Sequence, residues 1–392
     1  MYMFDDHYHK LNQIFLRILG LWPYGKTKYD HFRATCFFII LVSHTFVQLA
    51  QLLIADFSII VIIRILSEFL PILMCLVKFN MFFLETKKLK QILKEMTNNR
   101  RILTEAQEIE IIEHYANQGR IFTIIYTLLM TFILYILATI ELFPSILDCF
   151  WPLNESRTHN MLFLTQYHIS EGIQYYSCFL YFSISVSIGC FSVICITTMF
   201  TVAMLHCCAI FKICSYRIKQ SVDEKIIMCS NKRNVIVKRI IRTIELHQNA
   251  KRLFKLCIPN FGIYFFIMVV VGTCSCVANL YRLLYSIICM DNFPEIMLAL
   301  GYIITHEIYL VATTYMGQNL VNHADELFNA IYMSLWYKAP VTIQKLLLFM
   351  MQVASKSVVP KVGGIYCSVM ESFTTVMSTV ISYMMVLYSV NS

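Results

Sequence analysis

Hydrophobic positions along the chain gather into long, nearly uninterrupted blocks, and polar positions gather between them. An apolar block of about 20 residues is what a helix needs to cross a bilayer core. The first runs from about Ala34 to Ala55 and the second from about Ile59 to Leu84, the latter interrupted by Arg64, Glu68, Pro71 and Lys78. The third covers Ile121 to Phe143. The fourth, about Ile173 to Phe211, exceeds what one crossing requires, so its inner end is expected to project into the cytoplasm. The fifth spans about Cys257 to Ser286, the sixth about Glu295 to Met316, and Ile365 to Val390 form the last. Between the sixth and the last, Leu320, Ala324, Leu327, Phe328 and Ile331 recur at helical spacing among polar residues, which predicts a helix packed on others outside the bilayer. Residues 341–354 read as a further short apolar helix, and Pro360, Gly363 and Gly364 as a break.

The pattern predicts an all-α membrane protein with seven crossings. It divides into 1–33 (N-terminal segment), 34–211 (crossings one to four), 212–256 (a basic helical segment), 257–316 (crossings five and six), 317–364 (helices packed outside the bilayer) and 365–392 (the last crossing). Composition agrees, with 58% hydrophobic and 14% charged residues, where a soluble domain carries about a quarter charged. A soluble enzyme is thereby excluded. Residues 1–33 hold no apolar stretch of secretory-signal length, so no cleavage is expected.

Charge supplies the orientation, because cytoplasmic loops retain Lys and Arg. The N-terminal segment holds Lys10, Arg17, Lys26, Lys28 and Arg33; the segment after the second crossing holds Lys87, Lys88, Lys90, Lys94, Arg100, Arg101 and Arg120. A third basic group lies between Lys212 and Lys255. The opposite loops hold little: none between the first two crossings, and Arg157 alone between the third and fourth. The N-terminus is expected inside and, after seven crossings, the C-terminus outside. Asn154-Glu155-Ser156 is a glycosylation sequon in a loop assigned to the outside. The net charge of +8 is accounted for by this asymmetry, and no nucleic-acid partner is expected.

Candidate chemistry mostly dissolves on inspection. Most of the 15 cysteines fall in crossings or in the cytoplasmic segment, which argues against a disulfide framework; Cys149 and Cys289 fall in outer loops, where a bridge between them stays open. Cys274 and Cys276 lie two apart on a helix and point to different faces. His306-Glu307 opens like a zinc-protease helix, but Leu310 stands where the second His belongs. No metal, cofactor or catalytic constellation is expected. Arg64 and Glu68, four apart, read either as a structural pair or as an ion or ligand site. Lys78 lies near the inner surface, within snorkelling reach of it. Glu141 and Asp148 lie where an outer mouth would attract cations.

The C-terminal stretch is more specific. Trp336-Tyr337-Lys338-Ala339-Pro340 is followed by Gln344-Lys345-Leu346-Leu347-Leu348, Pro360, Gly363-Gly364-Ile365-Tyr366, Glu371-Ser372-Phe373 and Ser382-Tyr383-Met384-Met385-Val386-Leu387. In order, spacing and position this resembles the insect odorant receptor signature, and the inverted topology derived above is that family's. The Gln and Phe that close the gustatory-receptor motif are absent, Ser389-Val390 standing there instead. The segment after the fourth crossing lacks the coreceptor's large insertion, so the chain resembles an odour-tuning subunit.

The resemblance implies a tetrameric, ligand-gated, non-selective channel for monovalent and divalent cations in the plasma membrane of an olfactory neuron's dendrite. It implies assembly with coreceptor subunits, intracellular anchor helices, and opening by a volatile odorant. It places the constriction at Val386 and the next pore-facing turn at Ser389 and Val390. Apolar rings of this kind close a pore by dewetting; ordinary helix packing is the alternative. The family's odour pocket lies in the outer half of the membrane, between crossings two, three, four and six. The candidates are Phe69 and Tyr135 on crossings two and three, Tyr176, Phe179 and Ser183 on one face of the fourth, and Tyr302, His306 and Tyr309 on one face of the sixth. Each also suits core or lipid-facing packing. Two other classes compete. A G-protein-coupled receptor conflicts with the inside N-terminus, and a secondary transporter usually shows internal repeats that are missing here.

Overall fold

In the computed structural model the described residues are 7–55, 58–150, 172–222, 233–288, 293–356, 358–364 and 366–391. They form ten α-helices: α1 (Lys10–Ile18), α2 (Lys28–Ile54), α3 (Ile59–Leu84), α4 (Thr86–Arg101), α5 (Ala106–Phe150), α6 (Gly172–Ser221), α7 (Arg233–Ile288), α8 (Phe293–Tyr332), α9 (Val341–Ala354) and α10 (Met370–Asn391). A 3₁₀ turn (Trp336–Lys338) precedes α9, and a small antiparallel hairpin, β1 (Lys361–Val362) with β2 (Tyr366–Cys367), precedes α10. Among these helices seven, namely α2, α3, α5, α6, α7, α8 and α10, are long and apolar enough to cross a membrane.

Local chemistry explains where several elements begin. Thr27 caps α2 through a reciprocal capping box with Asp30: the Asp30 amide donates to the Thr27 hydroxyl at 3.2 Å, and the Thr27 amide donates to the Asp30 carboxylate at 3.0 Å. Pro340 sits immediately before α9, where its fixed φ and missing N–H cost nothing. Gly363 and Gly364 adopt φ +60 and +78, a left-handed turn that only glycine enters without strain, and the turn reverses the chain from β1 to β2.

Two sequence boundaries are not breaks in the structure. The helix of the sixth crossing continues past Met316 to Tyr332 as one rod, and α7 runs unbroken from Arg233 through the expected start of the fifth crossing to Ile288. Hydropathy falls at those points, but the helices continue, α7 even carrying Pro259 in its interior just past the expected start of the fifth crossing. The last helix begins at Met370, later than the expected Ile365, because the hairpin occupies the preceding residues.

The helices alternate in direction and form a bundle with two ends. At the base, α1, α4 and α9 pack around the lower parts of α5 to α8 and enclose the main core, which includes Leu16, Leu89, Leu93, Ile210, Phe211, Leu253, Leu327 and Leu347. The base is also pinned by polar contacts. Arg217 grips Glu108 with two hydrogen bonds, one of them 2.8 Å, both side chains being buried. Lys212 bonds Glu326, and the Lys251 ammonium donates to the Val353 carbonyl. At the top, where α2 meets α3, α5 meets α6 and α7 meets α8, only small apolar clusters form.

Helix α10 leans on the bundle by one face. Val376 and Val380 pack with Cys276 and Leu310, and Met384 with Ile63, Ala278 and Tyr281. Its start is wedged tightly: a Cβ on Gly317 of α8 would collide with the carbonyl oxygen of Ser368, so only glycine lets the end of the hairpin lie against α8. Every described cysteine is a free thiol, with Cys274 exposed and Cys276 buried. The Cys149 side chain, Cys289 and Asn154 lie outside the described residues, as do the side chains of Glu141 and Asp148.

Candidate ligand cavity

A cavity of about 170 Å³ opens in the upper half of the bundle. Its wall is built from the last half of α2 (His44, Gln48), the middle of α3 (Glu68, Ile72, Cys75), the middle of α5 (Met130, Ile133, Leu137) and the upper half of α6 (Phe179, Phe182, Ser183, Val186). Met268 and Ser275 of α7 and Tyr302, His306 and Tyr309 of α8 complete it. For scale, an engineered apolar cavity of about 150 Å³ admits benzene. The space therefore suits a small, largely apolar molecule.

The polar side chains in this wall are mostly engaged by the protein itself. Ser187 bonds back to the Ser183 carbonyl at 2.7 Å, and Thr305 to the Gly301 carbonyl at 2.8 Å. The His44 ring and the Ser185 hydroxyl share a hydrogen bond of 2.8 Å. The exception is His306, whose two ring nitrogens are buried without a hydrogen-bond partner among the described residues. Its ring lies against Gly272 of α7, where any side chain would strike it. Burying such a group unpaired costs on the order of 1–3 kcal/mol, so the imidazole is a standing demand for a hydrogen-bonding partner.

Glu68 connects the cavity wall to a charged cluster. The Arg282 guanidinium of α7 donates to Glu68 at 3.0 Å and to Glu295 of α8 at 2.7 Å, and also to the Ser67 hydroxyl; Arg64 stands 3.9 Å from Glu295. Arg282, Glu68 and Glu295 are all buried. Arg64 and Glu68 thus belong to a four-member network whose centre is Arg282, a residue that hydropathy treats as an isolated blemish. A lone arginine in an apolar crossing demands an acid partner, and that signal was readable.

Of the expected pocket residues, Phe179, Ser183, Tyr302, His306 and Tyr309 come together on the one cavity. Three do not. Tyr135 is 68% exposed and Tyr176 is 52% exposed, both on the outer surface of the bundle, and Phe69 is half-buried away from the cavity wall. The correction is one of helix phase. Ile133, Leu134, Leu137 and Ala138 occupy the inner face of α5, so Tyr135 is turned outward; on α6, Tyr175 is the buried residue and its neighbour Tyr176 is not. The α2 contribution was missed, although His44, Gln48 and Gln51 form a buried polar face on an otherwise apolar helix. Polar groups at that spacing must turn toward protein rather than lipid.

On α10, Val386 is 56% exposed, and Ser389, also exposed, donates its hydroxyl to the Val386 carbonyl at 2.9 Å. Both lie on the surface that faces away from the bundle, together with Thr375, Ser378 and Ser382. The Val390 side chain lies outside the described residues.

Seven helices long and apolar enough to cross a membrane define the class as a multi-pass membrane protein. The chain belongs to the 7tm odorant receptor family, whose profile matches residues 58–381. No curated protein sequence matches it. In fold it is similar to the olfactory receptor OR5 of the insect Machilis hrabei in complex with eugenol, with a TM-score of 0.81 at 12% identity over 97% of both chains. It is likewise similar to the same receptor without eugenol, with a TM-score of 0.79 at 12% identity over 98% of this chain and 100% of the other.

Proposed function

We propose that this chain is an odour-tuning subunit of a ligand-gated, non-selective cation channel, opened by a small volatile molecule bound in the cavity between α3, α5, α6 and α8. The observation that carries the reading is the cavity itself. It is apolar, sized for a benzene-like compound, and holds one buried, unpartnered hydrogen-bonding side chain, His306. The ligand then is a largely apolar volatile bearing one hydrogen-bonding group, which a neutral imidazole meets equally as donor or acceptor. Family membership and the likeness to the Machilis hrabei receptor support the class.

The N-terminus lies in the cytoplasm and the C-terminus outside the plasma membrane, a reading supported by the Lys and Arg distribution. The base of the bundle, with α1, α4 and α9, is then intracellular. Four subunits, including the coreceptor, surround a pore lined by the exposed face of α10, with Val386 at the constriction and Ser389 and Val390 beyond it. The loose hold on α10, by one face only, suits a helix that moves when the cavity fills.

The test is whole-cell current in heterologous cells expressing the chain with and without the insect coreceptor, against a panel of volatiles. An odour-evoked cation current that rises within tens of milliseconds and survives block of G-protein signalling is the expected result. A slow current abolished by that block overturns the proposal.

A further inference from the structure

Below the odorant cavity lies a second, smaller chamber of about 70 Å³. Tyr309 forms part of both walls. Lys78 of α3 reaches this chamber and is only 1% exposed, so the expected snorkelling to the membrane surface does not occur. Its ammonium donates to the Tyr309 hydroxyl at 3.0 Å and lies over two rings, 4.6 Å from the Tyr309 centroid and 4.9 Å from that of Phe265.

That leaves the charge underprovided. An ammonium carries three N–H donors, and one hydrogen bond is described for it. The aromatic faces attract it, but no Asp or Glu lines the chamber among the described residues. A buried charge without a counter-charge is expensive, and a protein relieves the cost either by pairing the group or by letting it shed its proton. The same chamber offers a second donor: Tyr366, on the hairpin, has a hydroxyl buried without a partner among the described residues.

We propose that this chamber binds one small monovalent anion, of the size of chloride or formate, between the Lys78 ammonium and the Tyr366 hydroxyl. The volume sets the upper limit, since a water molecule needs about 10–15 Å³ by this measure and the chamber holds only a few. The anion would join α3 and α8 to the hairpin that carries α10, which makes it a structural ligand of the segment next to the pore helix. This site is separate from the odorant cavity and stands whether or not the chain conducts.

The test uses the full-length protein purified in detergent, at constant ionic strength, with chloride, bromide or formate replacing gluconate, which is too large to enter. Binding of radiolabelled chloride is measured on the same samples. The expected results are one chloride per subunit and a thermal midpoint about 2 °C higher at tenfold the dissociation constant. Both should vanish in Lys78→Met and weaken at least tenfold in Tyr366→Phe. Equal midpoints in all four salts, or chloride binding that persists in Lys78→Met, overturns the site. Should Lys78→Met fail to fold, chloride binding by the unaltered protein and by Tyr366→Phe still decides: no bound chloride, or equal affinity in both, overturns it.

Discussion

The two halves of α6 show how one helix serves two purposes. From Ser192 to Phe211 every residue is buried, with no face left to lipid or water. From Ile173 to Phe191 the burial is patchy: Ile173, Tyr176, Leu180 and Ile184 are exposed, while Tyr175 and Phe182 are buried. The lower half is rich in small side chains, including Ala203, Cys207, Cys208 and Ala209, which let neighbouring helices approach closely below the second chamber. The upper half carries large aromatics and a looser surround, and the cavity occupies the gap. Dense packing fixes the base as a rigid frame, and incomplete packing leaves the top able to accept a guest.

Substitutions in the two halves should therefore differ in kind. The largest effect is expected at the base. Arg217→Met leaves Glu108 buried and unpaired, which should cost about 3–5 kcal/mol. Thermal unfolding in detergent checks it, and adding Glu108→Gln should restore most of the loss. A full loss that the second change does not relieve would show that packing, not charge, holds that corner.

Acid should also weaken the base. Burial lowers the pKa of His9 and of His247 to about 4, with Arg100 and Lys251 contributing to the two shifts respectively. Both groups are neutral in the fold, whereas the unfolded chain takes up protons as pH falls below about 6.5. Stability should therefore be level above pH 6.5 and fall between pH 6.5 and 4, by at most about 1.4 kcal/mol per pH unit for each histidine. Replacing both by glutamine should make that slope shallower in a pH series of unfolding midpoints.

A cavity-filling change at the top should trade stability for specificity. Ile133→Phe fills part of the cavity at a cost of about 1–3 kcal/mol or less, since the added atoms enter open space rather than a dense core. Responses to the larger active volatiles should fall at least tenfold while smaller ones persist, as read from current dose-response curves. The smallest effect is expected at Tyr135 and Tyr176. Alanine at either exposed site should change stability by less than about 0.5 kcal/mol and leave odour sensitivity unaltered.

The membrane plan was legible because hydropathy and charge act over whole segments. Seven crossings, the Val341–Ala354 helix and the glycine turn at 363–364 all register as composition or backbone constraint. Facing was harder to read. In an apolar crossing, lipid and protein interior look alike to a side chain, so the outward turn of Tyr135 and the inward turn of Leu137 carry no compositional mark. Where a polar group intervened the phase became readable: His306 turns inward because lipid would not tolerate it. Arg282 could have been paired with Glu68 and Glu295 by the same rule. The Lys78 chamber escaped because its walls come from α3, α6, α7, α8 and the hairpin, which only the folded chain brings together.

The most direct test of the account is to locate a bound activating volatile, using a photoreactive analogue that evokes current. After irradiation, peptide mapping should find the label on residues facing the cavity, such as Ile133 and Leu137 of α5 or Tyr302 of α8. Label confined to the outward surface around Tyr135 and Tyr176, or to the lower chamber, would contradict it.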